Sequence, residues 1–221
     1  MAAGAPAGGV GSSKDAPRGG RTAKARKFYI VLSQARSRAA GLRLVNEDEL
    51  LRDGSSTLSP PAGRRGFRDY PVTPLFLADE KLGRIDRDFE RYSHYWLISD
   101  RMKSVLEQVD PEAFAFLKCD TRLPDGTDGP RHWLCDVVRV LEALDEGKSL
   151  IEIGTADDGS KFYDLLGRRS LILNQDAIGP CRVFRMKYTG SVIICDDVLK
   201  RACRENGITG IRFKGAVEGL I

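Results

Sequence analysis

Two histidines, His94 and His132, and five cysteines, Cys119, Cys135, Cys181, Cys195 and Cys203, are the side chains in this 221-residue sequence best suited to nucleophilic or metal chemistry. His132 and Cys135 form one H-x-x-C pair. A structural zinc site needs a second pair at comparable spacing, and no C-x-x-C or H-x-x-x-H is present. No serine or cysteine stands in a G-x-S-x-G elbow. His132 therefore reads as a strand-end histidine beside a buried thiol. His94, inside Tyr92-Ser-His-Tyr-Trp96, reads as part of a core or core-edge aromatic cluster. An enzyme whose Cys–His or carboxylate site assembles only in space stays open as one alternative.

The remaining candidates are loops. Gly126-Thr-Asp-Gly129 and Gly154-Thr-Ala-Asp-Asp-Gly159 match neither G-x-G-x-x-G nor G-x-x-x-x-G-K-[ST], and their acids would repel a phosphate. Asp120, Asp125 and Asp128, or Asp157 and Asp158, invite a calcium ion but lack the spacing of an EF-hand loop. Asp-Gly pairs are ordinary turn formers. The expectation is a chain with no catalytic set, no metal and no cofactor.

The scaffold that must carry these loops is better defined. Residues 1–27 hold six bases and one acid in an Ala/Gly/Pro-rich context, whereas residues 28–221 hold 29 bases and 30 acids. The basic character sits in a tail that lacks the apolar residues needed to offset ordering entropy, so residues 1–27 are expected to be disordered and 28–221 to form one domain. Lys14, Arg18, Arg21, Lys24, Arg26 and Lys27 could touch nucleic-acid phosphates nonspecifically, which gives a second reading as a nucleic-acid-associated regulatory protein. The tail has no signal-peptide apolar run, and no stretch approaches the roughly 18 apolar residues of a membrane span. The odd number of scattered cysteines then suggests reduced, buried thiols and a cytoplasmic protein.

Phe28–Leu32 reads as a strand. Ser99 caps a helix whose Met102, Val105, Leu106 and Val109 share a face, and Pro111 opens a new element. A turn and a strand follow over 113–119, and 132–144 fits helix and strand templates equally. Short strands are expected near 150–153, 161–164, 170–173, 181–187 and 191–195. Asp196 or Asp197 caps a closing helix with Val198, Leu199, Ala202 and Cys203 on one face; Gly207 ends it, and Ile208–Phe213 returns as a strand. The fold class is α+β, a mostly antiparallel sheet of short strands packed with a few helices.

From Glu90 onward these elements resemble a family of bacterial immunity proteins of polymorphic-toxin systems, first recognised in myxobacteria and formerly a domain of unknown function. Tyr95-Trp-Leu-Ile-Ser-Asp-Arg-Met102, Trp133-Leu-Cys-Asp-Val-Val138, Leu141-Glu-Ala-Leu-Asp145, Ser149 and Phe184-Arg-Met186 carry the likeness. So do Ile193-Ile-Cys-Asp-Asp-Val-Leu-Lys200 and Gly207-Ile-Thr-Gly-Ile-Arg-Phe213, a D-x-L-K … G-I-T-G-I-x-F block. The resemblance implies a cytoplasmic protein that binds one cognate toxin and occludes its active site or substrate path, with no catalytic residues of its own. Acidic loops often oppose basic nucleases because complementary charge speeds encounter. The expected contact residues are therefore Asp120, Asp125, Asp128, Asp157, Asp158 and Trp133. Trp133, Tyr70 or Tyr188 would be aromatic anchors if exposed.

Overall fold

Alternation of apolar side chains decides most of the architecture. In chain order the elements are β1 (Phe28–Ser33), β2 (Leu42–Leu44), α1 (Glu47–Leu50), β3 (Leu75–Ala78), β4 (Phe89–Tyr92), β5 (Tyr95–Ser99) and α2 (Asp100–Val109). After a 3-10 turn at Pro111–Ala113 come β6 (Phe114–Arg122), β7 (His132–Val137), β8 (Val140–Leu141), β9 (Glu152–Thr155), β10 (Lys161–Asp164) and α3 (Gln175–Ile178). β11 (Val183–Met186), β12 (Ile193–Asp196), α4 (Asp197–Glu205) and β13 (Ile211–Gly215) complete the order. The structure, a computed structural model, describes residues 1, 4, 26–34, 41–51, 58–79, 81–82, 87–165 and 170–216. The expected disordered tail, 1–27, lies outside these residues except for Met1, Gly4, Arg26 and Lys27.

Two sheets and a ribbon result. The five-stranded sheet runs β13-β1-β12-β11-β8, the six-stranded sheet β2-β3-β6-β7-β5-β4, and β9 pairs with β10 alone. All pairings are antiparallel except β3–β6 and β8–β11. The expected α+β class with a mostly antiparallel sheet is what forms. Because successive strand residues point to opposite faces, each sheet feeds two cores. Ile193 and Cys195 of β12, Cys135 and Val137 of β7, and Met102, Leu106 and Leu199 from α2 and α4 fill the core shared by the sheets. Ile194 and Phe184 face the other way, onto Tyr163, Leu171 and Ile178. Leu134 and Leu97 face a third cluster with Phe76, Tyr95 and Leu58.

Local sequence grammar sets both long helices. The Ser99 hydroxyl oxygen accepts from the Met102 amide at 3.1 Å, satisfying an orphan donor at the start of α2. The Asp196 carboxylate does the same for Val198 and Leu199 at the start of α4, and Gly207 leaves that helix with φ +60°. The ambiguous stretch 132–144 is a strand, β7, followed by the short β8. The strand expected at 170–173 does not form a ladder. Ser170 bridges to Leu150 and Leu173 to Leu144, so its two ends are drawn to different partners. The strand expected from Ile208 begins only at Ile211, because Thr209 and Gly210 are diverted to another task.

That task is closure of the chain on Asp88. The Thr209 amide and hydroxyl each donate to its carboxylate at 2.8 Å, Ser99 Oγ donates at 2.8 Å, and Arg101 donates through Nε at 3.0 Å and Nη2 at 2.5 Å. Burial pushes the Asp88 pKa up, but the bonds from Arg101, Thr209 and Ser99 outweigh it and hold the group down at about 2. Next to it Gly210 has φ +83°, and a Cβ there would lie 2.2 Å from the Phe89 carbonyl oxygen. Gly210→Ala must strain its backbone and push a neighbouring backbone aside. The expected loss is at least ~2 kcal/mol of unfolding free energy, read by urea denaturation.

Candidate interaction surface

The H-x-x-C pair does not converge. His132 and Cys135 are three apart on β7 and so point to opposite faces. The cysteine opposite His132 in the ladder is Cys119 of β6. His132 is buried, its Nδ1 donates to the Pro130 carbonyl at 2.8 Å, and burial lowers its pKa. Burial pushes the Cys119 and Cys203 thiols up to about 12, and Cys135 and Cys195 well above the ordinary thiol value. These four thiols stay protonated and unreactive near neutral pH. Among the described residues no three His, Cys, Asp or Glu side chains gather as metal ligands.

The cluster around His94, expected at the core or its edge, lies there, but the histidine itself does not. Tyr92 and Tyr95 end β4 and β5, and Ser93 (φ +51°) and His94 make the two-residue turn between them. Of the aromatics flanking that turn Tyr95 is buried and Tyr92 half-buried, while His94 itself is exposed at the mouth of a cavity.

The six expected contact residues fall on two separate hairpins. Asp120, on β6, is exposed and lies 3.9 Å from Lys118. Asp125 shapes the β6–β7 loop by accepting from the Thr127 amide and hydroxyl at 2.9 and 2.6 Å, which lowers its pKa. Asp128 pairs with Arg122. The acids of this hairpin are therefore matched locally by bases or used in its turn. Trp133, on β7, is half-buried against the shared core. Its indole N–H donates to Asp100 at 2.6 Å, and Lys103 sits 4.7 Å from its ring.

Asp157 and Asp158 occupy the tip of the β9–β10 ribbon. Gly159, with φ +81°, closes the turn by donating to the Ala156 carbonyl, and Asp158 accepts from the Ser160 amide at 2.9 Å. Asp157 makes no hydrogen bond or ion pair among the described residues. The ribbon is held at its base: Tyr163 is buried, its hydroxyl donates to Glu146 at 2.5 Å, and its amide donates to the Tyr188 carbonyl at 2.8 Å. Lys161 pairs with the same Glu146 and lies 4.9 Å from the Tyr188 ring. Tyr188 is thus half-buried and spent on this joint, and Tyr70 is half-buried as well.

Beyond the joint the ribbon is bare. Ile153 is 49% and Phe162 42% exposed, one on each face, and Leu150 just before β9 is 63% exposed. Phe162 lies across from Gly154 in the register, so close that a Cβ there would meet its ring at 2.3 Å. The missing side chain is what allows the ring to lie flat on the ribbon. None of these apolar residues was singled out from sequence; strand alternation alone cannot tell which face lacks a cover.

The body is two sheets that carry two differently built hairpins. The chain matches the model of the immunity protein family Imm11 over residues 27–218 and belongs to that family. Toxin immunity is therefore its general role, and such proteins are not typically enzymes. A search of curated proteins returns no relative that matches. No helix among the described residues is long and apolar enough to cross a membrane.

Proposed function

We propose that this chain binds its cognate toxin in the cytoplasm and occludes the toxin's active site or substrate path, with the β9–β10 ribbon as the leading contact. The observation that carries the choice of ribbon is the exposure of Ile153 and Phe162 beside an acidic tip whose Asp157 and Asp158 pair with no base among the described residues. The two acids at the tip, Asp157 and Asp158, are both exposed. Such a surface complements a basic protein face: the charges speed encounter, and the apolar side chains hold the complex once formed. Asp120, Asp125, Asp128 and Trp133 then flank the contact or serve their own hairpin, since most of their polar capacity is used internally.

The test measures binding to the toxin encoded beside this gene. Phe162→Ala is expected to weaken the complex roughly 10- to 100-fold, chiefly through faster dissociation. Asp157→Lys with Asp158→Lys is expected to slow association by about tenfold and to flatten its dependence on salt. Both changes lie outside the cores, so thermal unfolding should hardly move. Binding and cell protection within twofold of the unaltered protein for both variants would remove the ribbon from the interface.

A further inference from the structure

A second surface has the opposite charge. Where β1, β4–β5, β11–β12 and the 58–74 segment meet, they enclose a cavity of about 170 Å³. Its ionisable lining is entirely basic or neutral: Arg65, Arg91, Arg185, His94 and Tyr95, together with the Ser33 and Ser191 hydroxyls. Arg185 is 7% exposed and forms the floor, Arg65 is half-buried on the wall, and Arg91 and His94 stand exposed at the mouth.

The charges do not balance. Arg65 and Arg185 both reach the single carboxylate of Asp136, while Arg91 makes no hydrogen bond or ion pair among the described residues. Arg65 Nε is buried and donates to nothing among them. The three guanidiniums feel one another: burial first, then the charges of Arg65 and Arg91, lower the pKa of Arg185. Three positive charges against one negative, in a partly enclosed space with two hydroxyls, cost energy unless an anion enters.

We propose that this cavity is a binding site for a single oxyanion group, a phosphate or a carboxylate. The volume admits an oxyanion with a few attached atoms in place of roughly six waters. Arg91 offers an uncommitted planar fork for two oxygens, Arg185 supplies a fixed positive floor, and Arg65 adds a charge on the wall. The site shares no residue with the ribbon, so the two proposals can fail separately.

The experiment titrates full-length protein with inorganic phosphate and, separately, with acetate, at ionic strength held constant with sodium chloride. Thermal midpoint is followed in the unaltered protein. Fluorescence of Trp96, which lines the cavity, is followed in a Trp133→Phe background. The expected result is a saturable rise in midpoint and a Trp96 signal with at least one of the two anions beyond the chloride control. Arg91→Ala, a surface change, should weaken that binding at least tenfold without lowering the ligand-free midpoint. Stronger binding of phosphate assigns a phosphoryl ligand; stronger binding of acetate assigns a carboxylate, such as an acidic side chain of a partner. A response no larger than that to chloride, or one that Arg91→Ala leaves intact, overturns the site.

Discussion

Asp136→Ala is expected to cost about 3–5 kcal/mol of unfolding free energy, the usual consequence of stripping the partner from a buried ion. Asp136 is 1% exposed and makes three connections. It accepts from the Gly66 amide at 2.7 Å, from Arg65, and from Arg185 Nη2 at 3.1 Å. Arg65 can swing to water when the carboxylate goes, but Arg185 cannot: its Nε and Nη1 are fixed to the Val137 and Gly190 carbonyls. A charge would be left in a low-dielectric site without a counter-ion. The loss is a large fraction of the ~5–15 kcal/mol that holds a domain folded. Urea unfolding checks it. The double variant Asp136→Leu with Arg185→Met should recover much of the loss, because both the charge and its partner are then gone. A single-variant loss below ~1 kcal/mol would show that Arg185 is solvated after all.

The second large effect is at Asp88, and it depends on pH. A carboxyl held at about 2 against its ordinary 3.8 favours the folded state only while ionised. Its contribution, about 2 kcal/mol, is fully present above pH ~4 and is lost as pH falls from there through ~2. The unfolding free energy of the unaltered protein should fall over that window relative to Asp88→Asn, which has no proton to take up there. Asp88→Ala at neutral pH should cost more, about 2–4 kcal/mol, because Arg101, Ser99 and the Thr209 amide lose their common acceptor. Parallel curves for the unaltered protein and Asp88→Asn from pH 5 to 2 would refute this account.

Both long helices were legible in the sequence because their caps and faces lie within a dozen residues. The resemblance to immunity proteins was carried by the same segments, and the structure explains two of its positions: Thr209 serves Asp88 and Gly210 yields space to Phe89. What the sequence could not reveal depends on contacts between distant segments. Arg65, Arg91 and Arg185 come from a loop, a hairpin and the opposite sheet. Trp133 and Tyr188 look like free aromatics until Asp100 and the ribbon base claim them. The two acidic loops read alike, yet Lys118 and Arg122 answer two acids of one, whereas no base among the described residues pairs with the tip of the other. The 170–173 run had strand composition but two unrelated neighbours.

The order of strands around β1 governs how long the cell waits for a working molecule. A ribosome delivers Phe28–Ser33 early, yet its partners on both sides are β12 and β13, made some 160 residues later. At 5–20 residues per second that gap lasts roughly 10–30 seconds. Throughout it Ile30 has no sheet to join, and the shared core lacks Ile193, Cys195 and Leu199. The five-stranded sheet, and any protection that needs it, therefore waits for β12 and β13 to be made.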